Sequence, residues 1–220
     1  MTRLSTLIAF GVLTLLSARS TSLYAAEAPT PDDEGFISLF DGRTLDGWRA
    51  GEHPESFRVE DGVLVVGGER GHLFYDGPVG DHDFKNFELK LDVQTQPKAN
   101  SGVYFHTRFQ KDGWPSHGYE CQVNNTGSDW KRTGSLYSVE DVRETKGKDG
   151  EWFEYHITVK GKKITLKVNG ETTIDYTEPE KPERTADMAG RLLSSGTIAL
   201  QAHDPGSTVR YRKIRIKPLP

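Results

Sequence analysis

Apolar and polar residues alternate along most of the chain after residue 35. The alternation recurs in eight stretches, at 57–65, 87–93, 103–109, 119–124, 155–168, 174–176, 198–202 and 209–216. A period of two is typical of β-strands that bury one face. The nearest approach to a helical period, at 183–193, is weak. The pattern therefore predicts an all-β fold with little or no helix.

Turn signals separate these stretches. Asp61-Gly62 and Asn169-Gly170 stand between alternating runs and predict tight hairpins. In the last run the alternation changes phase between Tyr211 and Ile214, which predicts a β-bulge. Many short strands divided by turns predict a sandwich or a barrel. We expect one such domain over residues 35–220.

The first residues have the pattern of an export signal. Arg3 precedes an apolar run at 7–16, and small residues follow up to 25–28. This order predicts a secretory signal peptide over 1–28, followed by a flexible lead-in over 29–34. The apolar run is shorter than the ~20 residues of a membrane-spanning helix, although an uncleaved anchor is the alternative. We expect an exported bacterial protein, periplasmic or extracellular, with no membrane span.

Charge and cysteine usage narrow the class of protein. The formal net charge is −4, which does not favour binding to nucleic acid or to anionic membranes. Cys121 is the single cysteine, so an intrachain disulfide is excluded. An exported domain without disulfides must be stabilised by its hydrophobic core, and 35–220 is long enough to form one.

Two predicted strands have an unusual polar face. Tyr104, His106 and Arg108 alternate with apolar residues in one strand, and Glu120 and Gln122 do so in another. Residues two apart share a face of a strand, so each set lines one surface. If the two strands are neighbours, they form a polar floor suited to a polar ligand.

Further candidates lie at the end of a strand and in loops. Gln201 and His203 share a face, while Trp114 and Trp130 lie in polar loops where an indole ring could stack on a ligand. Each candidate also has a structural interpretation. Glu120 could be a solvated carboxylate, and His203 could stabilise the turn that follows it. Arg108 could pair with Glu120 across the strands.

Several kinds of site are not predicted. Zinc-ligand spacing, a phosphate-binding glycine loop and a Gly-x-Ser-x-Gly motif are all missing from the sequence. A divalent cation held by Glu120, His203 and carbonyl oxygens is an alternative, although no spacing of ligands predicts it.

The chain resembles the 3-keto-disaccharide hydrolase domain family. The resemblance rests on motifs such as FISLFDGRTLDGW at 36–48, NSGVY at 100–104, GYECQV at 118–123 and LQAHDPG at 200–206. Further matches lie at 84–89, 134–137, 150–155 and 209–214. The chain departs from the family at Lys213, where members typically carry Asn, and at His106, where many carry Arg. The resemblance implies a concanavalin-like jelly-roll sandwich of two antiparallel sheets that cleaves glycosides oxidised to a ketone at carbon 3.

Such a ketone acidifies the proton on carbon 2, so a base can start an elimination that expels the glycosidic oxygen. Our hypothesis makes His203 or Glu120 the base, and the other residue the acid or a cation ligand. The remaining candidates would bind a small oligosaccharide or glycoside. The groups that would hold hydroxyls or the enolate are Gln122, Gln201 and Arg108. The site would be lined by Tyr104, His106 and Tyr137, and Trp114 or Trp130 would stack on the sugar. Two alternatives are a lectin-like carbohydrate-binding module and a glycosidase that pairs Glu120 with an aspartate.

Overall fold

The structure is a computed structural model that describes residues 29–220. The predicted signal peptide, 1–28, lies outside the described residues. Within 29–220 the chain forms thirteen strands and three single-turn 3₁₀ helices. In this part of the chain, no helix has the length and apolar character needed to cross a membrane.

Tight hairpin turns join some of the strands, and the longest loops precede β9 and β12. In chain order they are β1 (Ile37–Ser38), β2 (Trp48–Ala50), β3 (Phe57–Glu60), β4 (Val63–Gly67), β5 (Gly71–Tyr75), β6 (Phe87–Thr95), β7 (Ser101–Thr107), β8 (Tyr119–Val123), β9 (Phe153–Lys160), β10 (Lys163–Val168), β11 (Glu171–Thr177), β12 (Thr197–Ala202) and β13 (Thr208–Pro218). The 3₁₀ helices are Pro54–Ser56, Val79–His82 and Ala186–Met188.

Two antiparallel sheets pack on each other. The larger sheet has the order β11-β10-β9-β6-β13-β4-β3, with β1 paired to β13. The smaller sheet has the order β2-β5-β12-β7-β8. The apolar positions of both sheets form one shared core, in which Leu89, Val103, Cys121 and Leu200 are fully buried. The prediction of an all-β jelly-roll sandwich with two antiparallel sheets is confirmed.

The predicted turns and bulge are present. Asp61 and Gly62 join β3 to β4 with φ angles of 49° and 81°. Asn169 and Gly170 join β10 to β11 with 51° and 80°. Positive φ at both central residues is the mark of a type I′ hairpin turn. In β13 the register with β6 shifts around Lys213, which has a φ of 49°, as the phase change predicted.

The outer faces of the two sheets differ. On the larger sheet, Glu88 contacts His156 (3.0 Å) and Asp92 contacts Arg212 (3.0 Å), which is an ordinary solvent-facing pattern. Four strands of the smaller sheet, β5, β7, β8 and β12, are buried on both faces, because loops surround their outer face. Strand β5 was not predicted for this reason, since a strand buried on both faces does not alternate.

Candidate active site

A cleft of about 330 Å³ lies over the outer face of the smaller sheet. Its floor is formed by β7, β8 and β12, and its walls come from the loops at 108–118, 124–152 and 178–196. Its lining residues are Asn100, Tyr104, Trp114, Pro115, Ser116, Glu120, Gln122, Asp129, Tyr137, Asp187, Met188, Arg191, Gln201 and His203.

Strand register brings the predicted floor residues together. Strands β7 and β8 are neighbours, with Tyr104 opposite Glu120. Strand β12 lies on the other side of β7, where Ala199 is opposite Tyr104, and its Gln201 is therefore two residues along on the same face. Seven of the ten predicted site residues line the cleft: Tyr104, Trp114, Glu120, Gln122, Tyr137, Gln201 and His203.

Glu120 is the buried centre of this floor and is only 5% exposed. Its Oε2 accepts a hydrogen bond from Arg191 Nη2 at 3.2 Å, and its Oε1 accepts one from Gln201 Nε2 at 3.1 Å. Burial raises the pKa of the Glu120 carboxyl, and the Arg191 charge opposes that rise. The result is a desolvated carboxylate whose basicity is stronger than that of a surface glutamate.

Gly102 makes room for this carboxylate. Gly102 is opposite Gln122 on β8, and a Cβ added to it would lie 2.6 Å from Glu120 Oε1. Any side chain at this position would therefore displace the carboxylate. A glycine inside a strand is typical of such a close approach, and here the approaching group is Glu120.

Arg191 was not identified from the sequence. It reaches the cleft from the 178–196 loop, where neither periodicity nor spacing distinguishes it from other surface arginines. Its Nη1 donates to the Gly118 carbonyl (3.3 Å), and its guanidinium lies 5.2 Å from the centre of the Tyr104 ring. The pairing of Glu120 with Arg191 replaces the predicted alternative pairing with Arg108.

His203 lies at the cleft wall with one ring nitrogen engaged. His203 Nδ1 is 2.7 Å from Asp204 Oδ2. Asp204 is itself fixed by Ser207 Oγ (2.9 Å) and by the Gly206 backbone N–H (2.8 Å). A carboxylate at Nδ1 orients the imidazole and leaves Nε2 available to a ligand.

Trp114 forms an aromatic wall beside His203. The two ring centres are 5.3 Å apart, and the indole is 44% exposed. Arg70 lies 5.3 Å from the indole centre and is held by Glu52. An indole fixed in this way and still exposed toward a cleft is suited to stacking on a sugar ring.

Two buried amide oxygens have no protein partner. Gln122 Nε2 donates to Asn100 Oδ1 (3.0 Å), and Gln201 Nε2 donates to Tyr104 (2.8 Å) and Glu120. The Oε1 atoms of both glutamines are buried without a partner within 29–220. Unsatisfied buried acceptors are costly, so both are suited to accept hydrogen bonds from ligand hydroxyls.

The structure does not place His106 and Arg108 in the cleft. The register between β7 and β12 shifts between Tyr104 and Thr107, and His106 has a φ of 53°. This bulge turns the His106 ring toward Phe87 and Phe105, where Nε2 contacts the Lys85 carbonyl (2.9 Å). Arg108 lies past the end of β7, in a separate depression lined by Thr107. Their predicted position beside Tyr104 is wrong because the bulge reverses the alternation.

The loops change two further expectations. Trp130 is not a lining residue, and its indole lies 4.2 Å from the Arg143 guanidinium. In its place the same loop contributes Asp129 and Tyr137. Burial raises the pKa of Tyr137 to about 12. The glycosidase alternative needs an aspartate in the same cleft as Glu120, and both Asp129 and Asp187 line it.

The described residues that line the cleft do not form a preformed cation site. Within 29–220, no group of three or more His, Cys, Asp or Glu residues is arranged to hold a metal ion. Both Glu120 oxygens already accept hydrogen bonds, and His203 Nδ1 is engaged by Asp204. Arg191 already pairs with the Glu120 carboxylate, so a cation at the same carboxylate would compete with the guanidinium.

His72 lies beneath the cleft wall. It is opposite Gln201 on the neighbouring strand, and its ring packs edge-on against Tyr104 (5.3 Å) and Trp114 (5.6 Å). Its Nε2 is buried without a partner within the described residues. Burial lowers the pKa of His72 to about 3, so the ring is neutral near neutral pH.

The fold and the cleft define a carbohydrate-active β-sandwich, with hydrogen-bonding groups on the floor and an aromatic wall. The chain belongs to the family described as the 3-keto-alpha-glucoside-1,2-lyase-like domain, whose model matches residues 35–217. The family predicted from the sequence motifs is confirmed.

Individual relatives agree with this assignment. The chain is 28% identical to a 3-keto-disaccharide hydrolase of Bacteroides thetaiotaomicron, over 91% of this chain and 85% of that protein. A solved structure from Parabacteroides distasonis that carries the name glycosyl hydrolase shares the fold, with a TM-score of 0.71, 23% identity and coverage of 85% and 95%. The carbohydrate-binding module CBM66 of Bacillus subtilis also shares it, with a TM-score of 0.53, 8% identity and coverage of 78% and 95%. The family and the Bacteroides relative confirm the prediction of a carbohydrate-cleaving enzyme.

The neutral, buried His72 predicts a pH dependence of stability. Below its ordinary pKa near 6.5 the unfolded chain binds a proton that the folded protein cannot bind until about pH 3, so stability falls as the pH is lowered. Between pH 7 and pH 5 this residue alone should lower the free energy of unfolding by about 2 kcal/mol. The free energy of unfolding should be measured with urea at pH 7 and at pH 5. Its fall between the two pH values should be smaller in His72→Gln than in the parent, by about 2 kcal/mol. The exposed His117 supplies the control, His117→Gln, and equal losses in all three proteins would contradict the prediction.

Proposed function

We propose that this protein cleaves the glycosidic bond of 3-keto-glycosides, including 3-keto-disaccharides, by elimination followed by addition of water. The single observation that carries the proposal is the buried Glu120 carboxylate, which lies beside Arg191 in a cleft that His203 also lines. The family description and the name of the Bacteroides relative support the substrate class.

The ketone at carbon 3 determines the chemistry. A base removes the proton from carbon 2, and the electrons of that C–H bond form a double bond to carbon 3 while the carbonyl electrons move onto oxygen. When the carbonyl forms again, the double bond shifts to carbons 1 and 2, and the bond from carbon 1 to the glycosidic oxygen breaks. A proton goes to the leaving oxygen, and water then adds across the new double bond. Electrons and protons balance without an oxidant.

Glu120 is our candidate for the base. It is desolvated, and burial raises the pKa of its carboxyl, so the ionised form is a stronger proton acceptor than an exposed glutamate. Each of its oxygens accepts one hydrogen bond from the protein and keeps a further acceptor site.

His203 is our candidate for the acid that protonates the leaving oxygen. The contact between Asp204 Oδ2 and Nδ1 leaves Nε2 as the ring nitrogen that can reach a ligand. His203 is more exposed than Glu120 and lies beside Trp114, so it is suited to act where the leaving group departs. The free amide oxygens of Gln122 and Gln201 would hold two sugar hydroxyls.

Two other functions have specific support. The CBM66 fold shows that such a sandwich also serves as a carbohydrate-binding module, which would bind the sugar without cleaving it. Asp129 and Asp187 in the same cleft would allow hydrolysis by two carboxylates with Glu120, in which the proton on carbon 2 is retained. The pairing of Glu120 with a buried arginine favours elimination, because a cation beside the base can stabilise the enolate that only elimination forms.

We also propose that the protein acts outside the cytoplasm. The support is the charged, apolar and small-residue order of 1–28. Amino-terminal sequencing of the protein expressed in a Gram-negative host should find a start between Ala25 and Ala28 in the periplasmic fraction. An intact Met1 on the cytoplasmic protein would contradict this.

The acid and base roles predict different dependences on the leaving group. A 4-nitrophenyl group leaves without protonation, whereas a methyl glycoside needs the acid. His203→Ala should therefore lower kcat/KM about 100-fold on methyl 3-keto-glucoside and much less on the 4-nitrophenyl compound. Glu120→Gln should lower it at least about 100-fold on both. Rates of release of the leaving group measure both effects.

The control is a matched Glu–His pair on the outer face of the larger sheet. Glu88→Gln and His156→Gln should cleave both substrates at the parent rate. A reversed pattern would exchange the two roles, and parent rates in both cleft variants would refute the assignment. A parent that binds the substrate without cleaving it would favour the binding module.

A further inference from the structure

We infer that Arg191 is a catalytic residue that binds the ketone oxygen of the substrate and stabilises the enolate formed there. The inference rests on the proposed elimination. It assigns to Arg191 the role that sequence reasoning gave to Arg108, which lies outside the cleft.

The Arg191 guanidinium has N–H donors that no acceptor within the described residues engages. It carries five N–H donors, and within the described residues two of them have acceptors, the Gly118 carbonyl and Glu120 Oε2. Arg191 is 5% exposed and is one of the residues that line the cleft, so a ligand held there would offer acceptors to the remaining donors. A ketone oxygen is solely an acceptor, and a buried cation with free donors is its complement.

Arg191 is also adjacent to the base. The proton to be removed and the ketone oxygen are on neighbouring carbons, so the base and the group that receives the negative charge must be neighbours as well. Glu120 Oε2 and Arg191 Nη2 are 3.2 Å apart. As Glu120 takes the proton, the carbonyl electrons move onto oxygen beside Arg191, and they return when the leaving group departs. The buried environment strengthens this charge pairing compared with water.

The backbone around Arg191 is fixed before a substrate arrives. Arg184 Nε donates to the Arg191 carbonyl (2.9 Å), and the same guanidinium contacts the hydroxyls of Tyr119 (3.0 Å) and Tyr176 (2.9 Å). Gly190 packs so closely on the neighbouring loop that an added Cβ would lie 1.8 Å from the Ser116 carbonyl oxygen. A charge held in this way needs little reorganisation during the reaction, which is the source of electrostatic catalysis.

The test compares Arg191→Ala, Arg191→Lys and the control Arg108→Ala on 4-nitrophenyl 3-keto-glucoside, with thermal unfolding of each protein measured in parallel. Removal of one group that stabilises an oxyanion costs about 10²- to 10³-fold in kcat, and we expect Arg191→Ala to show this loss. Added guanidinium chloride at low millimolar concentration should restore part of the activity to Arg191→Ala alone. Arg191→Lys keeps the buried charge but not the planar fork, so we expect a folded protein with at least about a tenfold loss in kcat.

Each outcome separates this inference from the proposed function. A parent that cleaves, together with an Arg191→Ala variant of equal kcat, would overturn the role of Arg191 alone. The role of Arg191 would also be overturned if Arg191→Lys is folded and fully active and guanidinium does not rescue Arg191→Ala. A parent that does not cleave would overturn the proposed function itself. A chelator should leave the parent rate unchanged, and a rate that requires an added divalent cation but not Arg191 would assign the electrophile to that cation.

Discussion

The buried ion pair between Glu120 and Arg191 connects a strand to a loop in the interior of the cleft. Moving both charges out of water costs several kcal/mol per ion, and a pair of this kind adds little to stability unless its remaining hydrogen bonds are satisfied. Several features of the surrounding structure exist to accommodate it. Gly102 leaves space for the carboxylate, and Gln201 donates to its second oxygen. Because stability does not explain the pair, its position in a cleft indicates chemistry.

The sandwich supplies the rigidity that this site needs. One face of the smaller sheet packs in the core, and the other carries Glu120 and Gln122 on β8 and Gln201 on β12, on the two sides of β7, whose register with both strands fixes their spacing. The outer face of the larger sheet instead carries ordinary surface ion pairs, such as Glu88 with His156 and Asp92 with Arg212. Loops provide the other groups of the cleft, which are the aromatic wall at Trp114, the cation of Arg191, and His203 at the turn after β12. The same scaffold therefore serves both binding modules and enzymes, and the site decides between them.

Much of the fold could be predicted from the sequence because alternation and turn residues are local signals. The bulge at Lys213 was visible because apolar residues on its two sides are out of phase. The bulge at His106 was hidden, since Phe105, Thr107 and Phe109 continue the alternation across it. Strand residues such as Glu120 and Gln201 could be assigned to a common face. Arg191 could not, because a loop residue reaches the site through tertiary contacts that leave no period in the sequence.

The central claim is that cleavage begins with removal of the proton on carbon 2. The most direct measurement uses a 3-keto-glucoside with deuterium at carbon 2. Mass spectrometry follows both the loss of deuterium and the rate of cleavage. A sample of the substrate without the protein corrects for spontaneous exchange. We predict that the deuterium passes to water in step with cleavage and that the labelled substrate reacts several-fold more slowly than the unlabelled one. Full retention of deuterium in the released sugar, with no difference in rate, would contradict the account.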